Sequence, residues 1–175
     1  MSFGKMTVTT PSDREIFVSR SFNAPRRLLW DVHTKPELLK RWLFGPDGWS
    51  LEVCTIDLRV GGKARFEMVK RDKGEADPDQ IGYGMTKMGW TDTYVEIVPH
   101  ELIVNTQIFD EDWTDGETRI TVVFRDSGVE SVLEMTILYS SKEARDGAIE
   151  NGVDGMEIGY ARLDAIFAET HGKSE

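Results

Sequence analysis

The side chains that could do acid–base, nucleophilic or metal chemistry are few and scattered along these 175 residues. His33, His100 and His171 fall in a helix-like stretch, a hairpin turn and the last residues, with no second ligand at metal-binding spacing. No metal is expected. Cys54 lies in a strand-like stretch without a basic neighbour in sequence, the setting of an inert buried thiol rather than a nucleophile. A Gly-x-Ser-x-Gly elbow, a P-loop and a dinucleotide fingerprint are all missing, and Gly82-Tyr83-Gly84 lacks the helix a phosphate site requires. No cofactor is implied. Carboxylates together with Tyr83, Tyr94, Tyr139 and Tyr160 could still converge for proton transfer, so the catalytic residues, if any, are unknown at this level.

Binding chemistry is better marked. The stretch RWLFGPDGW, residues 41–49, sets two of the five tryptophans, with Leu43 and Phe44, around a Gly-Pro-Asp-Gly turn. Each large aromatic buries roughly 150–250 Å², so the cluster either closes a core or lines the mouth of a pocket. Arg20 shares one side of a strand pattern with Ile16, Val18 and Phe22, and an inward guanidinium needs a partner. That partner is a structural ion pair, or a ligand oxygen at the floor of an apolar pocket. Asp57 and Arg59 precede Gly61-Gly62 and read as turn stabilisers rather than as catalytic groups.

The elements that must position these residues follow from hydrophobic periodicity. Ile16, Val18, Arg20 and Phe22 alternate as a first strand, and Pro25 then opens a helix where its missing N–H costs least. Two short helices follow, carrying Leu28, Leu29 and Val32, then Leu38, Leu39 and Trp42. Six strands are expected at about 50–59, 62–70, 89–98, 101–109, 117–126 and 129–140, joined mostly by Gly, Pro and Asp turns. The one long connection, 71–89, is rich in charge, Gly and Pro. Ser141 caps a short helix broken near Gly152, and Ile149, Val153, Met156, Tyr160, Leu163 and Phe167 form one apolar stripe of a C-terminal helix. Gly152, Gly155 and Gly159 each cost about 1 kcal/mol inside a helix, which calls either for close backbone packing or for space left beside a ligand.

Composition bounds the partners. Lys and Arg total 21 against 31 Asp and Glu, a formal charge of -10, which disfavours nucleic acid. The single cysteine, the lack of a signal-peptide pattern at the N-terminus and the lack of an apolar run of membrane-spanning length lead to the expectation of a cytoplasmic protein with no membrane span. One domain is expected over residues 15–170, with 1–14 a flexible segment and 171–175 a tail. A homodimer is compatible with the sequence, though no motif demands it.

The fold class expected is α+β, a helix-grip in which a curved antiparallel sheet of about seven strands wraps a long C-terminal helix. SRSFNAPRRLLWDVHTKPELLKRWLFGPDGW, VCTIDLRVGGKARFEM, YVEIVPHELIV and EARDGAIENGVDGMEIGYARLDAIF together resemble the START-like (SRPBCC) superfamily, in particular bacterial homologues of the activator of the ninety-kilodalton heat-shock-protein ATPase. The resemblance spans about residues 15–169. It implies an apolar cavity between sheet and last helix that takes a hydrophobic small molecule. The family's usual Trp-Trp-Gly-Pro junction reads Trp42-Leu43-Phe44-Gly45-Pro46 here, and residues 1–14 are too short for the separate chaperone-binding domain of the eukaryotic activators. Chaperone binding is therefore not expected to carry over.

The candidate pocket residues are Arg20, Trp42, Phe66, Met68, Trp90, Phe124, Met135, Tyr139, Met156 and Tyr160. The function expected is binding of an apolar or aromatic small molecule. Two alternatives stand beside it: an enzyme of cyclase, dehydratase or hydrolase type, polyketide cyclase-like, in the same cavity, which requires titratable groups to converge there, and a co-chaperone-like interaction protein, which requires an exposed apolar patch.

Overall fold

A computed structural model describes residues 2–3, 5–70 and 87–172, with side chains over 5–70 and 87–170. Most of the long connection expected at 71–89 lies outside these residues, as do Gly82-Tyr83-Gly84 and the side chain of His171.

Alternating apolar residues build the strands. In chain order they are β1 (Ser2–Phe3), β2 (Met6–Thr9), β3 (Glu15–Phe22), β4 (Trp49–Ile56), β5 (Lys63–Lys70), β6 (Lys87–Val98), β7 (Leu102–Phe109), β8 (Thr118–Ser127) and β9 (Glu130–Leu138). The helices are α1 (Arg26–Thr34), α2 (Pro36–Leu39), α3 (Lys142–Asn151) and α4 (Val153–Gly172). Among the described residues the strands form one antiparallel sheet in the order β1-β2-β3-β9-β8-β7-β6-β5-β4. The fold is the expected α+β helix-grip, with nine strands rather than about seven.

The two extra strands come from the segment expected to be flexible. Met6 and Val8 are fully buried, and β2 pairs with β3 through Thr7↔Ser19 and Val8↔Val18. Two apolar residues are too short an alternation to stand out in a polar stretch, yet backbone pairing to β3 and complete burial hold them. Register shifts between Tyr94 and Glu96 on β6, and between Leu51 and Val53 on β4, add the local bend that lets the sheet curl.

Ser141 accepts a hydrogen bond from the Ala144 amide and starts α3, which Gly152 ends; Ile149 therefore belongs to α3 and not to the stripe of α4. The α4 stripe, with Val153, Tyr160, Leu163 and Phe167 buried, packs on the concave face of the sheet. Phe22 meets the rings of Tyr160 and Phe167 edge-on at 5.6 and 5.9 Å. Burial of each such side chain contributes about 1.5–3 kcal/mol. The Asp57–Arg59 turn closes on itself, with Arg59 Nε donating to both Asp57 carboxylate oxygens at 2.8 and 3.0 Å. A Cβ on Gly62 would stand 2.1 Å from the Asp57 carbonyl oxygen, so only glycine fits there.

Candidate ligand cavity

Because side chains alternate across each strand, inward positions of β5 to β9 face α4 together. They do not fill the space. A cavity of about 530 Å³ remains between the sheet and the helix, reaching the α2–β4 turn at one end. Of the ten residues expected at a pocket, Trp42, Phe66, Met68, Trp90, Phe124, Met135, Tyr139, Met156 and Tyr160 line this cavity.

Arg20 does not line it, contrary to expectation. The β3 register does turn its side chain inward, but toward α4, where Glu157 and Asp164 stand two turns apart. Arg20 Nε and Nη2 donate to Glu157 Oε2 and Oε1, each at 3.1 Å, and Nη1 and Nη2 donate to Asp164 Oδ1 and Oδ2 at 3.0 and 2.9 Å. Burial opposes the guanidinium charge, but hydrogen bonds to Asp164 and Glu157 outweigh it and raise the pKa of Arg20. Four of the five guanidinium N–H donors are thereby used by the protein, and both forks that could grip a ligand carboxylate are taken. The seven-residue spacing of Glu157 and Asp164 was the available signal for this clasp.

Trp42 both closes the core and faces the cavity. Its Nε1 donates to the Val32 carbonyl at 2.8 Å, and its ring stacks on Tyr160 at 5.9 Å and lies 5.0 Å from His33. The turn after it reverses through Gly45 and Gly48, at φ +69° and +95°, a region open to glycine. Arg162 of α4 lies over the Phe44 ring, 3.9 Å from its centroid, and so fixes the turn against the helix. Trp49 and Phe44 complete this end of the lining.

The three helix glycines have three different reasons. A Cβ on Gly152 would approach the Ala148 carbonyl oxygen to 3.1 Å at the end of α3. On Gly159 it would meet the Trp42 ring at 3.3 Å and the Trp42 carbonyl at 3.4 Å, a close packing of helix on turn. On Gly155 it would meet nothing within 4 Å, and this bare stretch of helix faces the cavity.

Across the sheet the cavity floor is banded. One band is aromatic: Phe66 stacks on Trp90 at 5.2 Å, Trp90 lies 5.7 Å from Phe109, and Phe109 4.9 Å from Trp113. The next is polar, because Asp92 of β6 stands opposite Gln107 of β7, which stands opposite Thr118 of β8. Tyr94 and Asn105 form the following pair. Gln107 Nε2 donates to Asp92 Oδ1 at 3.1 Å, and burial, only partly countered by this bond, pushes the Asp92 carboxyl up to about 7. Thr118 Oγ1 is buried without a partner.

His33 supplies a second polar feature on the opposite wall. Its Nδ1 lies 2.7 Å from the Leu29 carbonyl, which can only accept, so the proton sits on Nδ1 and Nε2 presents a lone pair. Nε2 is buried without a partner, and burial lowers the imidazole to about 4, keeping it neutral. Burial likewise raises the Tyr94, Tyr139 and Tyr160 hydroxyls, which stay protonated. Titratable groups thus do line the cavity. Asp92, Gln107, Asn105, Thr118 and His33 were missed in the sequence, although Trp90, Asp92 and Tyr94 alternate on one strand face.

Cys54 is buried, and its thiol is pushed up to about 11 by that burial, away from nucleophilic use. Among the described residues no group of three or more His, Cys, Asp or Glu could hold a metal ion, and no helix is long and apolar enough to cross a membrane.

The same fold recurs in known structures. A crystal structure of a Rhodobacter sphaeroides protein superposes with a TM-score of 0.80 at 25% identity, covering 94% of this chain and 99% of that one. A Nitrosomonas europaea protein gives 0.74 at 17% identity over 93% and 99%, and an Arthrobacter aurescens protein 0.74 at 23% over 93% and 91%. No protein among the curated ones matches at significance. Residues 23–168 match the model of the family described as "Activator of Hsp90 ATPase homolog 1-like protein". With most of its length inside that match and its sheet and helix arranged as expected of the START-like superfamily, the chain belongs to the Activator of Hsp90 ATPase homolog 1-like family.

Proposed function

We propose that this protein binds an apolar or aromatic small molecule in the cavity between the sheet and α4. The observation that carries the reading is the unfilled space itself, about 530 Å³ walled largely by aromatic, Met and aliphatic side chains, with the bare face of Gly155 opening onto it. Ligand sites fall in the range of about 300–1,000 Å³ and combine apolar walls with a few polar groups. A void of about 150 Å³ already takes up benzene. Gly155 lines the cavity and a Cβ there would meet nothing within 4 Å, which supports room kept beside the helix for an occupant.

Native mass spectrometry of freshly purified protein, with thermal shift across a panel of hydrophobic compounds, tests this. A bound small molecule, or stabilisation growing as RT ln(1 + [L]/Kd), supports it. Gly155→Leu, which places a side chain in the space, is expected to raise the melting temperature and abolish the ligand shift. A bare mass with no compound stabilising the wild type would overturn the reading. A catalytic use of the same cavity is favoured by one observation, that Asp92 lines it with Gln107 donating to one carboxyl oxygen, while burial raises the carboxyl toward the range where a general acid or base works best; it predicts chemical conversion of a bound compound, lost in Asp92→Asn.

A further inference from the structure

The cavity is short of positive charge and rich in acceptors. Among the described residues its ionisable acids are Asp92 and Asp154, and no Lys or Arg lines it. Arg20 of β3 is held by Glu157 and Asp164, and Arg162 of α4 is turned to the Phe44 ring, the Trp42 carbonyl and Asp47. His33 is neutral and turns a lone pair, not a proton, to its surroundings. Gln107 is the hydrogen-bond donor the structure gives Asp92, and it reaches only Oδ1. On either side in register Asp92 faces Ala64 of β5 and Gln107 of β7, and Tyr94 follows it on its own strand. None of these offers a counter-charge.

The aromatic band begins two residues away on the same strand face. Trp90 is separated from Asp92 by about 7 Å along β6, and Phe66 and Phe109 flank it with their rings. A cation hydrogen-bonded to the Asp92 carboxylate would therefore lie beside this aromatic band, where ring quadrupoles attract a cation that comes within about 6 Å of a centroid. An anionic head would meet Asp92 and the π faces with the wrong sign, and a neutral hydroxyl would leave Asp92 held toward its protonated form and gain no charged pair. A chain of net charge -10 also draws cations toward it.

Resting on the cavity reading above, we infer that the ligand of this protein is a protonated amine on an apolar or aromatic body, its ammonium seated between the Asp92 carboxylate and the Trp90 ring. Asp92, which burial holds toward its protonated form in the empty cavity, releases that proton and becomes one half of a charge-assisted pair when the amine enters.

Three probes of one shape decide it: naphthylethylamine, naphthylethanol and naphthylacetate, titrated calorimetrically at about pH 8, where the amine is protonated and Asp92 is ionised. The amine is expected to bind at least about tenfold tighter than the alcohol, the difference between a charged and a neutral hydrogen bond, with the carboxylate weakest. Asp92→Asn, which keeps the shape and the Gln107 hydrogen bond, should bring the amine down to the level of the alcohol and leave the alcohol unchanged. Equal binding of amine and alcohol, or tighter binding of the carboxylate, overturns this inference and leaves the cavity reading standing. Binding of none of the three, together with a bare mass in native mass spectrometry and no compound of the hydrophobic panel stabilising the wild type, overturns both.

Discussion

Asp92 shows what a single residue can cost a fold. Its carboxyl titrates near 3.9 in an unfolded chain and at about 7 here, so the folded state holds a proton that the unfolded state has released. Stability is therefore complete below about pH 4 and falls as pH rises through 7, by up to about 4 kcal/mol at full desolvation and less where water enters the cavity. Asp92→Asn should flatten that fall, raising the urea midpoint at pH 8 while leaving it nearly unchanged at pH 4. An equal midpoint shift at both pH values would show that the carboxyl is not held protonated. His33 acts with the opposite sign, since its pKa drops from 6.5 to about 4: its contribution is present above pH 6.5 and lost as pH falls through 4. Nitrogen-resolved NMR should find the His33 imidazole neutral and protonated on Nδ1 at pH 5, where an exposed histidine is already charged.

At the level of elements, α4 is where sequence reading reached furthest and then stopped. Its apolar stripe identified the face on the sheet, and its glycines marked a conflict between helix propensity and something else. Spacing could not say which glycine answered to packing and which to space, because that depends on the atoms opposite each Cα. Gly155→Ala adds a methyl that meets nothing, so it should stabilise the fold by up to about 1 kcal/mol in urea unfolding. Gly159→Ala presses on the Trp42 ring and carbonyl, so part or all of the same gain is lost to strain. Two gains of equal size would mean the Trp42 turn gives way freely. The strands were legible for the opposite reason: β4 to β9 announce themselves by alternation between turn residues, whereas β2 has only Met6 and Val8, and its place depends on a partner, β3, that no local pattern reveals. The polar band was missed because Asp92, Gln107 and Thr118 lie on three strands and meet only through cross-strand register.

For the whole molecule, the question is what keeps a helix on a sheet when the space between them is not filled. One side of α4 rests on the aromatic contacts of Tyr160 and Phe167 with Phe22, and there the Arg20 clasp ties β3 to the helix through two carboxylates. Arg20 is fully buried, but the acids are partly wet, with side-chain exposures of 19% for Glu157 and 30% for Asp164. Arg20→Met keeps most of the volume and leaves both acids facing an apolar side chain, so a loss of roughly 3 kcal/mol is expected, toward the lower end for a broken buried pair because the acids retain some water. The loss has a pH signature. Burial works against the Asp164 charge, but the Arg20 hydrogen bonds lower its pKa below the usual carboxylate value, so the clasp contributes fully above about pH 4 and fades as pH falls through the lower folded value. Wild type and Arg20→Met should accordingly converge in stability toward pH 2–3 and differ most at neutral pH. Hydrogen exchange should speed up in the turns of α4 around 157–164 while β6 to β8 stay protected, because the clasp joins helix to sheet and carries nothing within the sheet. A variant as stable as wild type at pH 7, with α4 exchange unchanged, would mean that aromatic packing alone holds the helix over the cavity.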